Sequence, residues 1–532
     1  MKKLPIGLQT IRNIVEGGYV YIDKTQYVYN LINGAHCYFL SRPRRFGKSL
    51  LIDTIGEVFG GDKELFKGLW IYGSGYGFEK YPVISLDMSN IANDNPEVLK
   101  TSLASCIRKR IADEGLDIPD EIPSDMFKHL IESLHKKYDQ KVVVLIDEYD
   151  KPILDHIDEI ETAKANRKVI RGFYGVLKSM EPHLRFTFIT GVSKFTKTTL
   201  FSELNNLRDI TMADDYANIC GIPVDDLDEH FSEHIDGLRE LKWFEHEHYS
   251  SIRDEILRWY DGYTWDGVTR LLNPFSLLNF FDHKRFYGFW YASGTPKFLL
   301  DFIKRQPEIY TNLKNNEFTE EMLDSVDVDM IMVGPLLFQT GYLTVTEVWR
   351  TVHGTSYIVD IPNFEVRNAF NLHILSALTE RDAEHTGQAR MKISRALEAG
   401  DLQRMLEILR GLFASIPYQL HIPNESYYHS IFYAVMSLLG FDMDVEVSTS
   451  RGRIDAVLEL DDKVYVMEFK YENCPPDASA QEKQALFETA LNNAMEQIES
   501  KGYADRYKGS GKAIYQAAFV FLGRDDIQLR TK

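Results

Sequence analysis

The chain has 532 residues, of which 44% are hydrophobic and 26% are charged, so it is long enough for more than one globular domain. Its formal net charge of −19 excludes a protein that coats nucleic acid through overall positive charge, and any nucleic-acid binding must use a local basic surface. The mean hydropathy is −0.27 and no apolar run approaches the length of a membrane span, so we expect no membrane partner.

The four cysteines, Cys37, Cys106, Cys220 and Cys474, lie far apart and show no CxxC spacing. This pattern argues against a zinc site and against a disulfide framework, and it is typical of a reducing compartment. The first residues include two lysines but no long apolar run, so we expect no signal peptide. The sequence therefore predicts a cytoplasmic protein.

The N-terminal residues predict a short strand followed by a helix. Gly17 and Gly18 interrupt the chain, and residues 19–22 (YVYI) are typical of a strand. A helix is predicted to start near Asp23, because apolar residues recur at helical spacing in the ten residues that follow.

Residues 38–51, YFLSRPRRFGKSLL, predict a strand, a phosphate-binding loop and the start of a helix. Backbone N–H groups at a helix N-terminus bind phosphate, Lys48 would reach the terminal phosphates, and the Ser49 hydroxyl would hold Mg²⁺. The usual pattern has a glycine five residues before Gly47, where this chain has Arg42, so a basic turn before an ordinary helix is the alternative interpretation. The candidate nucleotide-binding residues of this loop are Arg44, Arg45, Phe46, Gly47, Lys48 and Ser49.

A regular alternation of helices and strands follows the loop. Helical spacing is present from Ser49 to Phe59, and a strand is predicted at Val83–Asp87. Two further helical patterns lie around Pro96–Ala112 and Met126–Lys137. This alternation is typical of an α/β domain.

The aliphatic run VVVLI before Asp147 predicts a strand that is buried on both faces of a parallel sheet. Open α/β sheets bind ligands at the carboxyl ends of their strands, which is where Asp147 and Glu148 stand. In a nucleotide hydrolase the first acid holds Mg²⁺ and the second polarises the attacking water. Asp150 is a third carboxylate nearby. A buried strand that ends in a solvated acidic turn is the alternative for this segment alone.

Residues 185–193, RFTFITGVS, predict the next strand of this sheet. A polar residue at its end would sense the γ-phosphate, and Thr190 and Ser193 are the candidates. Lys194 and Lys197 are weaker candidates for stabilising charge, because lysines on loops are more often simply solvated.

From about Pro223 to Leu397 the sequence is rich in aromatic residues and predicts a largely helical lid and connector. No catalytic cluster stands out in this stretch. Its tryptophan and tyrosine residues are predicted to form core, with a stacking surface for nucleic acid as the alternative. A charged segment from Ala383 to Gln403 is predicted to be a surface helix near a domain boundary.

A different pattern begins near Glu425. A helix is predicted up to Gly440, and two strands are predicted at Arg453–Leu460 and Lys463–Lys470, joined by a two-residue turn. Glu425 would lie on the predicted helix.

That two-residue turn determines a register for the hairpin. If Leu460 pairs with Lys463, then Asp455 lies opposite Glu468, with Cβ atoms about 5 Å apart. Lys470 projects to the same face as Glu468 because strand side chains alternate. Two repelling carboxylates suit a divalent cation with oxygen ligands, Mg²⁺ or Mn²⁺, and the lysine suits a phosphate or an attacking water. An amphipathic hairpin with a surface salt bridge is the alternative.

Residues 4 to about 285 resemble the bacterial AAA-ATPase-like family, in which the arginine-rich form of the phosphate loop is itself typical. Residues from about 415 to 523 resemble the PD-(D/E)xK nuclease domain that is commonly fused to it. The resemblance implies an acidic pair at Asp455 and Glu468, a lysine at Lys470, a helix acid at Glu425 and a glutamine at Gln497. It is carried in the first region by LPIGLQTI, YVYIDKT, RPRRFGKSL, LIDEYDKP, FITGVSKF and NPFSLLNFF, and in the second by YYHSIFYAVMSLLGF, EVSTSRGRIDAVLE and KVYVMEFK.

The predicted fold class is α/β: a P-loop ATPase core with a parallel sheet, a helical lid and connector, and a C-terminal α/β domain like that of restriction endonucleases. The predicted domains span residues 1–222, 223–410 and 411–532.

The predicted function is ATP-dependent processing of nucleic acid, with ATP and Mg²⁺ at the first site and Mg²⁺ or Mn²⁺ at the second. Glu148 would serve ATP hydrolysis, while Asp455, Glu468 and Lys470 would cut a phosphodiester backbone, with DNA favoured over RNA. The alternative is a nucleotide switch whose C-terminal domain binds nucleic acid or a protein without cleaving it. A homo-oligomer is left open, since ATPases of this class often place an arginine across a subunit interface, and Arg185 and Arg208 are equal candidates.

Overall fold

The structure is a computed structural model of the chain. The chain forms two compact units. The first unit comprises the described residues of Met1–Phe298 and Asn312–Val366, and the second includes those of Arg367–Lys532. The domain boundaries expected at residues 222 and 410 stay predictions. The described residues are 1–195, 206–239, 241, 251–292, 316–324, 332–352, 354–379, 383–413, 432, 435–436, 439, 441, 443–449, 452–460, 462–475, 478–522 and 526–532.

A five-stranded parallel sheet forms the centre of the first unit, as predicted. The strand order β2-β3-β4-β1-β5 places β1, β3 and β4 side by side, so their carboxyl ends meet at one edge. Nearly all residues of these three strands are buried, which explains their continuous apolar sequences. The strands are β1 (Cys37–Ser41), β2 (Val83–Asp87), β3 (Val142–Asp147), β4 (Leu184–Gly191) and β5 (Arg208–Asp209).

The helices of the first unit confirm the predicted alternation with strands. The helix expected at Ser49–Phe59 spans Lys48–Gly60 and lies against β2 and β3. The first-unit helices are α1 (Ile11–Glu16), α2 (Thr25–Ile32), α3 (Lys48–Gly60), α4 (Pro96–Asp113), α5 (Pro123–Tyr138), α6 (Lys151–Leu154), α7 (Ile160–Ser179), α8 (Val224–Leu238), α9 (Ile252–Tyr260), α10 (Pro274–His283), α11 (Phe289–Ala292), α12 (Glu320–Asp324) and α13 (Val333–Thr340).

The strand predicted at residues 19–22 does not form. Tyr19 makes one isolated parallel bridge to Lys3, and no neighbouring segment extends it into a ladder. The apolar side chain of Val20 packs instead on the buried cluster around α8, α9 and α10. A short apolar run does not by itself distinguish a strand from an extended segment that packs on a helical core.

The prediction of a largely helical segment between residues 223 and 397 is wrong for residues 316–319, 344–351 and 354–360, which form strands. These residues include an antiparallel sheet with the strand order β8-β10-β9. The β9 sequence TVTEVWRT is rich in β-branched residues, which favour strands over helices. The strands are β6 (Ile222–Pro223), β7 (Leu271–Leu272), β8 (Asn316–Thr319), β9 (Thr344–Thr351) and β10 (Gly354–Asp360).

The second unit contains a mixed five-stranded sheet in the order β11-β12-β13-β14-β15. Strand β14 runs parallel to β13, and the other neighbours are antiparallel. The strands are β11 (Met443–Thr449), β12 (Gly452–Glu459), β13 (Lys463–Glu472), β14 (Ala513–Leu522) and β15 (Asp526–Thr531). The helices are α14 (Phe364–Thr379), whose first three residues belong to the first unit, α15 (Ala383–Glu398), α16 (Leu402–Phe413) and α17 (Ala480–Ser500).

Helix α17 covers one face of this second sheet. It starts with a reciprocal cap in which the Ser479 side chain accepts from the Glu482 N–H and the Glu482 carboxylate accepts from Ser479. Buried residues at helical spacing, among them Leu491 and Ile498, pack on apolar side chains of β13 and β14. Among the described residues, no helix combines the length and the hydropathy that a membrane crossing requires.

Glu365 is a buried carboxylate in the first unit. It is 1% exposed, and its Oε1 accepts the Trp290 backbone N–H at 2.8 Å. Burial raises the pKa of Glu365 to about 8. The folded state therefore keeps this proton at pH values where the unfolded chain, with an ordinary carboxyl pKa, has released it.

We predict that Glu365→Gln makes thermal stability less dependent on pH. A carboxyl with a raised folded pKa costs no stability below its unfolded pKa, and the cost grows as the pH rises from about 4.5 to 8. Each pH unit in this window is worth about 1.4 kcal/mol, so we expect the variant to gain roughly 4 kcal/mol over the wild type between pH 5 and pH 8.5.

Tm measured from pH 5 to pH 9 checks this prediction, because the Tm of the variant should rise relative to the wild type with increasing pH. The matched control is Glu161→Gln, whose side chain is 94% exposed and should leave the pH profile unchanged. Parallel profiles for wild type and Glu365→Gln would contradict the prediction.

Candidate nucleotide and nuclease sites

The predicted phosphate loop joins the carboxyl end of β1 to the N-terminus of α3. Gly47 directly precedes the helix with φ 95°, a left-handed conformation that residues with a Cβ rarely adopt. Among the described residues, no heavy atom beyond Gly47 and its two chain neighbours lies within 4 Å of the place where a Cβ of Gly47 would stand. The backbone of the loop is therefore open on this side to a phosphate group.

Arg42, which occupies the position of the usual first glycine, is buried and anchors the loop. Its guanidinium donates to the carbonyl oxygens of Ser41 (2.9 Å), Thr211 (2.8 Å) and Tyr216 (3.2 Å). It also lies 4.1 Å from the centre of the Trp265 ring. Where the usual pattern has a glycine, this chain thus has an arginine that fixes the loop by hydrogen bonds, two of them to residues that follow β5.

Lys48 is buried at the start of α3. Its ammonium group donates to the carbonyl oxygens of Arg42 and Pro43, both at 2.9 Å, so the side chain folds back across the loop. Burial lowers the pKa of Lys48. The next residue, Ser49, is half-buried.

Asp147 and Thr190 meet across neighbouring strands at the carboxyl edge of the sheet. The Thr190 hydroxyl donates to Asp147 Oδ1 at 2.6 Å, and the same oxygen accepts the Glu148 backbone N–H at 3.0 Å. Glu148 has φ 51°, a left-handed conformation that is uncommon for a residue with a side chain and is frequent at functional sites. This local backbone brings the Glu148 carboxylate to the wall of a cavity.

Asp150, the third carboxylate of this segment, supports the fold and does not line the cavity. It is completely buried and accepts the backbone N–H groups of Val192 (3.0 Å) and Ser193 (2.6 Å). Burial raises the pKa of Asp150 to about 6. Its role is to hold the turn that follows β4.

The structure does not favour the weaker candidate Lys194 as a residue that stabilises charge on a nucleotide. Its side chain is 4% exposed and forms an ion pair with Asp209 on β5. A buried ammonium group needs a partner of opposite charge. The sequence around Lys194 did not show that Asp209 would be this partner, because β5 comes next to it only in the folded chain. Lys197 lies outside the described residues.

A cavity of about 560 Å³ lies over the phosphate loop. Six of the predicted residues line it, whereas Asp147 and Thr190 are buried behind its wall. Phe46 instead packs edge-on against Tyr263 and lines an adjoining apolar cavity of about 110 Å³. The six lining residues are Arg44, Arg45, Gly47, Lys48, Ser49 and Glu148.

Several cavity residues were not among the predicted site residues. Leu8 and Gln9 come from the N-terminal segment, Phe275 comes from α10, and Trp290 comes from α11. The Trp290 indole N–H donates to the Arg44 carbonyl at 3.0 Å. The start of α10 belongs to the NPFSLLNFF segment that carries part of the family resemblance, but nothing in the local sequence ties it to a loop 230 residues earlier.

In the second unit the hairpin has the predicted register. Ala456 pairs with Met467, so the next position outward places Asp455 opposite Glu468. The Leu460 N–H donates to the Lys463 carbonyl at 2.8 Å and closes the turn. The strands extend over Gly452–Glu459 and Lys463–Glu472.

Glu468 is the centre of this second cluster. It is 0% exposed, Lys470 Nζ lies 3.0 Å from its Oε1, and the Gln497 side-chain amide donates to the same oxygen. Burial, and then the charge of Asp455, raise the pKa of Glu468 to about 7. The structure thus brings together four of the five residues predicted for this site.

The donor set of this cluster suits a divalent cation. Glu468 Oε2 is buried and has no hydrogen-bond partner among the residues that the structure describes. Asp455 Oδ2 accepts the Phe469 N–H at 2.9 Å, which orients the second carboxylate. Two hard oxygen donors that repel each other are the ligands that Mg²⁺ and Mn²⁺ prefer. Glu425, the predicted helix acid, lies outside the described residues.

Comparison with known proteins gives two family matches. The profile of the AAA-ATPase-like family, described as predicted AAA-ATPase, matches residues 5–201. The profile of a PD-(D/E)XK nuclease superfamily domain matches residues 423–529. Two solved structures show low similarity. The ORC2 protein of Aeropyrum pernix (ADPNP–ADP complexes) is 10% identical, with a TM-score of 0.26, and the match covers 68% of this chain and 98% of that chain. Drosophila ORC bound to GC-rich DNA and Cdc6 is 10% identical, with a TM-score of 0.21, and the match covers 80% of this chain and 58% of that chain.

These TM-scores support no functional inference. A relative matches over nearly the whole length: an uncharacterized protein from the vnfD 5′ region of Azotobacter chroococcum mcd 1 is 35% identical over 529 residues, which are 98% of this chain and 96% of that protein. The two family matches cover the segments that contain the phosphate loop and the Glu468 cluster, and the relative spans both of them. The chain therefore belongs to the AAA-ATPase-like family and carries a C-terminal domain of the PD-(D/E)XK nuclease superfamily.

Proposed function

We propose that this protein binds and hydrolyses ATP and cleaves a phosphodiester backbone with a divalent cation, with DNA as the substrate. The observation that carries the proposal is the convergence of Asp455, Lys470 and Gln497 on the buried Glu468. The phosphate-binding cavity over Lys48 supports the ATPase part.

At the first site, the open backbone at Gly47 and the N-terminus of α3 would bind the phosphates. Lys48 would exchange its two loop carbonyls for the terminal phosphates, since an ammonium group prefers an anionic partner. Glu148 lines the same cavity and would orient the attacking water. Mg²⁺ would be held by Ser49 and Asp147, and would neutralise charge on the phosphates.

The adjoining apolar cavity is a candidate site for the nucleobase. It shares Pro5, Leu50 and Leu278 with the larger cavity, so a ligand could extend from one into the other. Ligand sites in proteins combine apolar walls with a few polar groups, which is the composition found here.

At the second site, Asp455 and Glu468 would hold Mg²⁺ or Mn²⁺, which would supply Lewis-acid stabilisation and lower the pKa of a water molecule. Lys470 is placed to orient the attacking water or to stabilise charge on the phosphate. Gln497 orients Glu468 through its amide. An amphipathic surface hairpin is less consistent with this arrangement, because Glu468 is completely buried.

We predict that Glu148→Gln lowers ATP turnover by about 100-fold or more and leaves ATP binding intact, because it removes only the group that orients water. Phosphate release measures turnover, and a fluorescent ATP analogue measures affinity. The control is Glu181→Gln, an exposed residue before β4, which should behave as wild type.

A second variant separates binding from chemistry. Lys48→Ala should lose ATP affinity as well as turnover, since it removes the cation of the phosphate loop. Wild-type protein that binds ATP tightly but turns it over no faster than Glu148→Gln would instead indicate a nucleotide switch.

We predict that Asp455→Asn and Lys470→Ala each lower cleavage of DNA by about 100-fold or more, because each removes a charge that the reaction uses. Plasmid, linear and single-stranded DNA should be incubated with Mg²⁺ or Mn²⁺, with and without ATP, beside an RNA of the same sequence. Glu459→Gln on the same strand as Asp455 is the matched control, since its carboxylate pairs with Lys512 away from the cluster.

Binding of Mn²⁺, followed by its paramagnetic resonance signal, gives a readout that does not depend on activity. Asp455→Asn should weaken it, whereas Lys470→Ala should retain it. Equal cleavage by wild type and Asp455→Asn would contradict the nuclease assignment, and preferential cleavage of RNA would contradict DNA as the substrate.

A further inference from the structure

The turn at Val192–Phe195, directly after the end of β4, is held almost entirely by side chains from other segments. Asp150 accepts the first two N–H groups. The Tyr149 hydroxyl donates to the Ser193 carbonyl at 2.9 Å and accepts the Phe195 N–H at 3.1 Å. Asp150 and Tyr149 directly follow Glu148, so the turn and the proposed catalytic acid are parts of one buried network.

The remaining N–H group of this turn is bonded by a residue 145 positions later. Gln339 Oε1 accepts the Lys194 backbone N–H at 2.9 Å. Gln339 lies on α13, is 5% exposed, and donates its amide group to the Leu323 carbonyl of α12 at 2.9 Å. Both ends of this side chain are therefore used, one toward the ATPase sheet and one toward the segment that carries β8 to β10.

The end of α13 also reaches the phosphate loop. Gly341 has φ 92°, and a Cβ there would stand 2.7 Å from the Pro43 side chain. Thr340 and Tyr342, the neighbours of Gly341, line the large cavity. Residues 339–342 therefore touch both the turn after β4 and the loop that would bind phosphate, although they lie outside the segment that matches the ATPase family.

The geometry points to Gln339 as a positioning residue for ATP hydrolysis, an inference that rests on the proposed ATPase function. By holding Lys194, it keeps the turn after β4 in place. The turn is bonded through Asp150 and Tyr149 to the segment of Glu148. A shift of about 1 Å in such a network costs up to about 100-fold in rate, so a single anchor far from the chemistry can set the turnover.

The Gln339 side chain also joins the turn after β4 to α12, which packs against β8 and β10. If the turn moved when ATP is hydrolysed, the Lys194 N–H would shift the Gln339 side-chain oxygen that accepts it. The amide group of the same side chain would then change its hydrogen bond to the Leu323 carbonyl. Such coupling requires only that the two states of the turn differ in their bond to Gln339.

Two substitutions test the proposal with the full chain. Gln339→Met keeps the side-chain size but removes both hydrogen bonds, and Gln339→Glu keeps an acceptor for the Lys194 N–H while losing the donor to Leu323. We expect Gln339→Met to lower kcat for ATP about tenfold at unchanged affinity for a fluorescent ATP analogue. Gln339→Glu should recover most of the kcat.

Hydrogen exchange of peptides that cover residues 186–195 provides a direct readout of the turn. Exchange at Lys194 should rise in Gln339→Met and stay close to the wild type in Gln339→Glu. Val333→Ala, at the buried start of α13, is the matched control because it weakens helix packing without touching the turn. It should lower Tm and leave kcat unchanged.

The outcomes separate this inference from the proposed function. Absence of ATP binding and turnover in the wild type would overturn the ATPase proposal itself. Normal wild-type turnover with an unchanged kcat in Gln339→Met would overturn the positioning role alone. An equal loss of kcat in Val333→Ala and Gln339→Met would show that only helix stability matters, and it would also overturn the role.

Discussion

The hydrogen bond between Thr190 and Asp147 joins the ends of two neighbouring parallel strands, and the proposed nucleotide site is built around it. It is possible because the strand order places β3 between β2 and β4 and brings their carboxyl ends to one edge. Asp147 also accepts the Glu148 N–H, which helps to keep the following backbone in its left-handed conformation. The position of the proposed catalytic acid therefore depends on how two adjacent strands end.

Buried polar side chains hold the loops of the first unit. Arg42 anchors the phosphate loop to carbonyl oxygens, Asp150 holds the turn after β4, and Gln339 completes that turn. Each of these groups would cost free energy if it were buried without partners, so the loops that satisfy them are strongly favoured in one conformation. Rigid loops are what precise placement of phosphate and water requires.

In the first unit these buried polar side chains have hydrogen-bond partners, whereas the second unit holds two negatively charged side chains close together. Asp455 and Glu468 face each other across a hairpin, and the second of them is completely buried. Lys470 and Gln497 satisfy one oxygen of Glu468 and leave the other without a partner among the described residues. Two like charges held this close repel each other, and this is the reason for proposing a cation site here.

The sequence by itself determined the parallel α/β core, the edge with Asp147 and Glu148, and the facing of Asp455 and Glu468. Apolar runs, a GKS turn and a two-residue hairpin are local patterns, and in this chain their combination pointed to the structure that forms. The strands β8, β9 and β10 were not predicted, because aromatic and β-branched residues occur in both helical and sheet cores. Only the tertiary structure decided the partners of Arg42, Lys194 and Gln339. These hydrogen bonds and ion pairs join residues up to 174 positions apart. The physical reason is that such pairings follow from the packing of whole elements and leave no periodic signal in the chain.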